Sequence, residues 1–210
     1  MLRAMETCID APRAPHAALV LAHGAGAGMH HAFMAAAAAG LAARGIAVLR
    51  YEFPYMTRGE KRVDPPAVAQ ATVREAVAAA RGRWPGLPLY AGGKSFGGRM
   101  TSQAQAEAPL EGVDGLVFFG FPLHPAGKPG VSRASHLHDV AIPMLFLQGT
   151  RDALAEMTLM REVTTRLASH AKVLWLDGAD HAFHVTKRSG RDDAAVLAEA
   201  LDAVAQFTRR

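Results

Sequence analysis

Six short stretches of the chain are apolar almost throughout: 17–22 (AALVLA), 46–51 (IAVLRY), 87–91 (LPLYA), 113–119 (VDGLVFF), 143–147 (PMLFL) and 171–176 (AKVLWL). A strand wetted on one face alternates apolar and polar residues. A strand covered on both faces does not, and these runs read as the latter, the pattern of a parallel sheet. Between them lie Ala-rich segments of helical length. The first spans 29–43. The second spans 65–81, where Asp64 can cap and Pro65 and Pro66 can open a first turn whose N–H groups lack partners anyway. A third follows Ser95. The fourth spans 156–168, with Leu159, Val163 and Leu167 repeating every four residues. The last, 192–207, carries a Val196, Ala200, Val204 stripe, with Asp192 and Asp193 at its dipole-positive end. At most one short strand is expected near the N-terminus, within residues 3–9. The alternation predicts an α/β fold: a doubly wound, mostly parallel sheet of about six to seven strands, helices on both faces and right-handed crossovers. No repeat or long linker interrupts it, so a single domain over 1–210 is expected. The longest irregular stretch, 120–140, is too short for a cap domain and predicts an open site.

Composition narrows the class. Half of the 210 residues are hydrophobic and 20% are charged, enough for a packed core and unlike a disordered chain. The formal charge of +4 is scattered, with no run of five Lys or Arg, so no nucleic-acid partner is expected. Cys8 is the single cysteine, which rules out an internal disulfide and suits a reducing compartment. The first residues lack the apolar stretch of a signal peptide, and no apolar run nears the ~18 residues of a membrane span. A cytoplasmic location with no membrane partner is the expectation.

Four segments carry candidate chemistry. Gly93-Lys94-Ser95-Phe96-Gly97-Gly98 fits G-x-S-x-G and lies between a predicted strand and a predicted helix. A sharp strand-to-helix turn lifts a serine hydroxyl above the sheet and needs glycine where backbones crowd. The helix N-terminus then favours a developing oxyanion. Read alone, the segment also fits a plain Gly-rich turn. A phosphate-binding loop is excluded, because Pro88 stands where its first glycine belongs. His23-Gly24-Ala25-Gly26-Ala27-Gly28 follows the strand 17–22, where a second oxyanion donor is required. The amides of Phe96 and of Ala25, or Gly26, are the candidates. A dinucleotide-binding reading of the same loop is the weaker alternative: Met29 stands where the third glycine belongs, and the acidic residue after the next strand, Glu52, comes late. No cofactor is expected. Asp152, in Gly149-Thr150-Arg151-Asp152, suits a carboxylate that orients a histidine; it also suits a helix cap. His181, in Gly178-Ala179-Asp180-His181, follows the last strand most closely, with His184 as the alternative. Ser95, Asp152 and His181 occur in that order, each at the C-terminal end of a predicted strand, where open α/β sheets place their ligands.

Other residues sit at the same strand ends. Met29, His30, Phe53, Tyr55, Phe121 and His124 are candidate substrate contacts, and each equally suits packing. Lys94 and Arg99 can make ion pairs or meet substrate. His136 and His138 have no acidic partner at ligand spacing, so no metal is expected.

The motifs His23-Gly24-Ala25-Gly26-Ala27-Gly28-Met29-His30-His31 and Gly93-Lys94-Ser95-Phe96-Gly97-Gly98-Arg99 resemble the α/β-hydrolase superfamily over nearly the whole chain. Within it they resemble a small uncapped branch that includes testis-expressed protein 30 and a subunit of the NSL histone-acetyltransferase complex. More distantly the chain is similar to dienelactone hydrolase, with serine in place of cysteine. The resemblance implies an esterase-like serine hydrolase with a Ser95, Asp152, His181 triad, acting on a small-molecule acyl substrate such as an ester or thioester. A peptidase or acyltransferase with the same triad, or a non-catalytic interaction module, are the alternatives. Oligomeric state has no signature in the sequence.

Overall fold

Every side chain of β2 (Ala17–Ala22) is buried, and successive residues face different cores. Ala18, Val20 and Ala22 pack against α3 (Pro66–Arg83) and α4 (Phe96–Glu107), beside Val73, Ala76, Met100 and Ala104. Leu19 and Leu21 pack against α1 (Ala32–Ala42) and α6 (Asp193–Phe207), beside Met34, Leu41, Val196 and Val204. Two cores, one on each face, leave no wet face in the central strands.

The computed structural model describes residues 5–209. The remaining strands are β1 (Thr7–Asp10), β3 (Ile46–Tyr51), β4 (Leu89–Lys94), β5 (Val113–Phe119), β6 (Met144–Gly149) and β7 (Ala171–Leu176). The seven form one sheet in the order β1-β3-β2-β4-β5-β6-β7. Only β1 runs antiparallel, against β3. The order reverses direction between β2 and β4, so the loops after these two strands meet at the C-terminal edge of the sheet. This is the predicted mostly parallel, two-faced architecture, with seven strands and no cap domain. Of the stretch expected to hold an N-terminal strand, residues 3 and 4 lie outside the described residues; β1 forms at its far end.

The boundaries moved for local reasons. β4 extends through Gly92 and Gly93 to Lys94 because both glycines pair with β2 and β5 in register. α1 starts at Ala32 and not Met29: the Met29 amide donates to Glu52 (3.2 Å), its carbonyl accepts from Arg50 (2.7 Å), and His31 Nδ1 caps the helix at Phe33 N (3.2 Å). Asp64 does not cap α3, whose N-cap is Pro65. Its carboxylate instead accepts from the Tyr55 amide (2.9 Å) and Arg58 (2.8 Å), holding an unforeseen turn, α2 (Pro54–Thr57). α5 (Met157–Arg166) is shorter than expected and passes into a 3₁₀ turn. Within 120–140 a 3₁₀ helix, Ser132–Asp139, packs against α4. Asp192 caps α6 through Ala195 N (2.7 Å).

Candidate active site

Ser95 stands at the β4–α4 junction with φ 50° and ψ −111°, an outlier for a residue with a Cβ. Such a conformation costs about 1–3 kcal/mol and persists only where neighbours fix it. Here the Ser95 amide donates to Phe119 O (3.2 Å), and the Ser95 carbonyl accepts from Arg99 N (3.1 Å). The flanking glycines are a packing requirement. A Cβ on Gly93 would lie 2.4 Å from the Ala22 carbonyl oxygen, and one on Gly97 2.5 Å from that of His23. The small Ala22 and these two glycines let α4 and β2 touch through backbone, which sets Ser95 beside the loop after β2.

That loop is fixed from below. His23 is fully buried, and burial holds its pKa below the usual imidazole value. Its Nδ1 bonds Gly24 O (2.8 Å), and its Nε2 meets both Phe53 N (3.1 Å) and the Glu52 carboxylate (2.8 Å). The Gly26 amide donates to Tyr55 Oη (2.9 Å). Of the two alternatives, Gly26 is therefore occupied, whereas the Ala25 amide has no acceptor among the described residues. Phe96 is the first residue of α4, so its N–H has no carbonyl one turn back within the helix.

His181 Nε2 lies 2.8 Å from Ser95 Oγ, and His181 Nδ1 lies 2.7 Å from Asp152 Oδ2. The carboxylate places the imidazole proton on Nδ1 and leaves Nε2 to accept from the serine hydroxyl. Asp152 has a fully buried side chain. Its charge is met by His181, by Gln148 Nε2 (2.6 Å) and by the Leu154 amide (2.8 Å). It caps no helix. The Asp180 carboxylate accepts from the Ala182 (2.8 Å) and His184 (2.9 Å) amides and tightens the turn that carries His181. His184 itself points away, to Asp193 on α6 (2.8 Å); this exposed pair raises the His184 pKa through the hydrogen bond.

Two residues take supporting roles that the sequence reading did not give them. Gln148 is fully buried; its Oε1 accepts from Phe121 N (2.9 Å) while its Nε2 donates to Asp152, so it ties the Asp152 carboxylate to the loop after β5. Lys94 makes no carboxylate ion pair among the described residues. Its Nζ donates to the His181 carbonyl and sits between the rings of Phe33 (5.3 Å) and Phe183 (4.7 Å). Desolvation pulls its pKa down to about 8. The signal for Lys94 was its place beside Ser95; Gln148 had none.

The six candidate substrate contacts divide unevenly. Phe53, Tyr55 and Phe121 have 0% exposure and pack in the core. The Phe53 ring lies edge-on to His23 (4.9 Å) and Phe96 (5.4 Å), supporting the loop and the elbow from beneath. Met29 and His124 are each 4% exposed. His124 bonds the Pro125 carbonyl (2.9 Å) through Nδ1 and the Glu156 amide (3.2 Å) through Nε2, stapling its loop to the start of α5. Their observed role is support; His30 alone is exposed. His136 Nε2 bonds Ser102 Oγ (2.8 Å), and His138 pairs with Asp139 (3.4 Å). Among the described residues no group of three His, Cys, Asp or Glu is placed to hold a metal, and no helix is long and apolar enough to cross a membrane.

A seven-stranded, mostly parallel sheet without a cap, carrying a serine on a strained strand-to-helix turn, defines the α/β-hydrolase class. Residues 15–209 match the family described as alpha/beta hydrolase domain, and the chain belongs to it. Solved structures agree on the fold. An α/β serine hydrolase homologue from Coxiella burnetii is 18% identical over 97% of this chain and 91% of its own, with a TM-score of 0.75. A lidless α/β serine hydrolase from Xanthomonas campestris is 22% identical over 95% and 89%, TM-score 0.72. Dienelactone hydrolase from Anabaena variabilis is 21% identical over 97% and 88%, TM-score 0.72. At such identities the likeness is one of fold.

Proposed function

We propose that the chain is an esterase-like serine hydrolase that cleaves a small ester or thioester through Ser95, His181 and Asp152. The observation that carries this reading is the pair of hydrogen bonds, 2.8 Å and 2.7 Å, that links Ser95 through His181 to the buried Asp152. In the proposed reaction His181 Nε2 takes the Ser95 proton as Oγ attacks the acyl carbon. Asp152 stabilises the imidazolium that forms. The amides of Phe96 and Ala25 receive the developing oxyanion; one such donor is typically worth about 3 kcal/mol of barrier. His181 then returns the proton to the leaving group, the acyl–Ser95 ester forms, and a water activated by the same histidine hydrolyses it. With no cap, the site suits small substrates approached from solvent, and a cytoplasmic location fits this reading.

A fluorophosphonate probe tests it. Wild-type protein is expected to be labelled and Ser95→Ala to stay unlabelled; equal labelling of the two overturns the assignment. His181→Ala is expected to abolish labelling and His184→Ala to retain it.

A further inference from the structure

Arg99 and Arg133 stand apart from the other arginines of the described residues. The half-buried or buried Arg44, Arg50, Arg74 and Arg191 each pair with a carboxylate: Asp202, Asp10, Glu107 and Glu199. Arg99 and Arg133 are also half-buried, yet neither guanidinium makes an ion pair or a hydrogen bond with any described residue. The Arg99 Nε is fully buried with no acceptor. Burial first, and the like charge of Arg133 second, lower the Arg99 pKa. A buried charge with no counter-charge is costly, and a second like charge raises the cost.

Their position gives this arrangement a use. Arg99 lies one helical turn beyond Ser95, and side chains on a helix lean towards its N-terminus, here the Ser95 end. The Arg99 guanidinium accordingly sits over the Phe96 ring, 6.0 Å from its centroid. Arg133 comes from the 3₁₀ helix Ser132–Asp139 that packs on α4. On the same 3₁₀ helix His136 bonds Ser102 of α4 (2.8 Å) and lies near the Phe121 ring (6.4 Å). Its pKa falls to about 4, through burial first and Arg99 second, so it stays neutral and leaves the arginines as the charges.

We propose that Arg99 and Arg133 form an oxyanion-binding subsite beside Ser95, which selects substrates carrying a carboxylate or phosphate a few bonds from the scissile carbonyl. Guanidinium groups suit such anions because their fork of N–H donors matches two oxygens at once. The subsite rests on the reading of Ser95 as nucleophile, and it adds a selectivity to that reading.

The test compares p-nitrophenyl hydrogen glutarate, which is anionic, with p-nitrophenyl pentanoate, a neutral ester of similar length; 4-acetoxybenzoate puts the anion on the leaving group. The wild type is expected to favour an anionic ester over the neutral one. Arg99→Gln and Arg133→Gln should each lower that preference at least tenfold, chiefly through KM, and salt should weaken it in the wild type. Arg161→Gln, remote on α5 and stacked on Trp175, should leave the preference intact. A preference unchanged within twofold in both variants overturns the subsite. If no ester turns over, the reading of function falls, and the subsite is judged on thermal shift with inorganic phosphate and with glutarate. A rise in Tm for wild type that Arg99→Gln loses supports it, and equal shifts refute it. Which anion and which ester respond identifies the group and its side of the scissile bond.

Discussion

Gly97→Ala is the most direct probe of how the site is built. A Cβ at position 97 would stand 2.5 Å from the His23 carbonyl oxygen, 2.6 Å from Ala22 Cβ and 2.7 Å from the Ala22 carbonyl carbon. These contacts are about 1 Å inside ordinary van der Waals separation. The opposing atoms have little room to retreat. His23 is fully buried and bonded at both ring nitrogens, and Ala22 is held in the ladder between β3 and β4. Overpacking of this kind costs about 1–3 kcal/mol, and backbone-on-backbone contact belongs at the upper end. In a domain of this size each kcal/mol moves Tm by about 2–4 °C, so Gly97→Ala should melt about 6–12 °C below wild type. The strain also pushes the loop bearing Ala25 away from Phe96, so fluorophosphonate labelling should slow by more than the loss of folded protein explains. Thermal melts and labelling rates below the transition measure the two effects separately. A variant that melts within 1 °C of wild type and labels at the same rate would show that α4 and β2 are not in backbone contact.

Gly82→Ala is the counterpart. Gly82 lies exposed in α3 with open space around its missing Cβ and no positive φ, so alanine should add about 0.5–1 kcal/mol and raise Tm by about 1–4 °C. Gln148→Leu removes a donor from Asp152 and leaves the buried Phe121 amide without an acceptor, at about 1–3 kcal/mol. A lower Tm and slower labelling are expected, and an unchanged Tm argues against the bridge. Lys94 gives a pH signature. Its folded pKa, about 8, lies below its ordinary value of 10.5, so between these the unfolded chain holds the proton more tightly. On this group alone, stability therefore rises with pH across that window. The wild type should gain stability relative to Lys94→Met between pH 8 and pH 10 in denaturant melts; a constant difference contradicts the burial of the charge.

Ser95, Asp152 and His181 were legible in sequence as a candidate site because each follows a strand and has glycine near it, and both features come from backbone geometry. The fold was legible for a similar reason: two-faced burial makes strands apolar throughout. Three features escaped because they depend on contacts between distant segments. α2 exists because Asp64 holds its Tyr55 amide, a bond no local pattern announces. Gln148 reads as an ordinary strand-end polar residue until Phe121 and Asp152 meet across it. Arg99 and Arg133 come together only when the 3₁₀ helix packs on α4. The aromatic residues after the strands misled in the other direction. Phe53, Tyr55 and Phe121 sit where ligands bind in such folds, but the elbow and the loop after β2 are backbone-rich and need bulk beneath them.

These pieces share one electrostatic logic on the proposed reading of the site. Two cations without a carboxylate ion pair among the described residues contact neighbours of Ser95: Lys94 bonds the His181 carbonyl and Arg99 sits over the Phe96 ring. Asp152 is already engaged by three donors. A positive, partly desolvated surround favours the tetrahedral intermediate, whose oxygen is negative, and opposes the imidazolium formed in the same step. The two effects do not cancel, because Asp152 contacts the imidazole directly while the oxyanion faces amides and more distant cations. Neutralising Lys94 should therefore weaken oxyanion stabilisation, which predicts a lower labelling rate for Lys94→Met than for wild type.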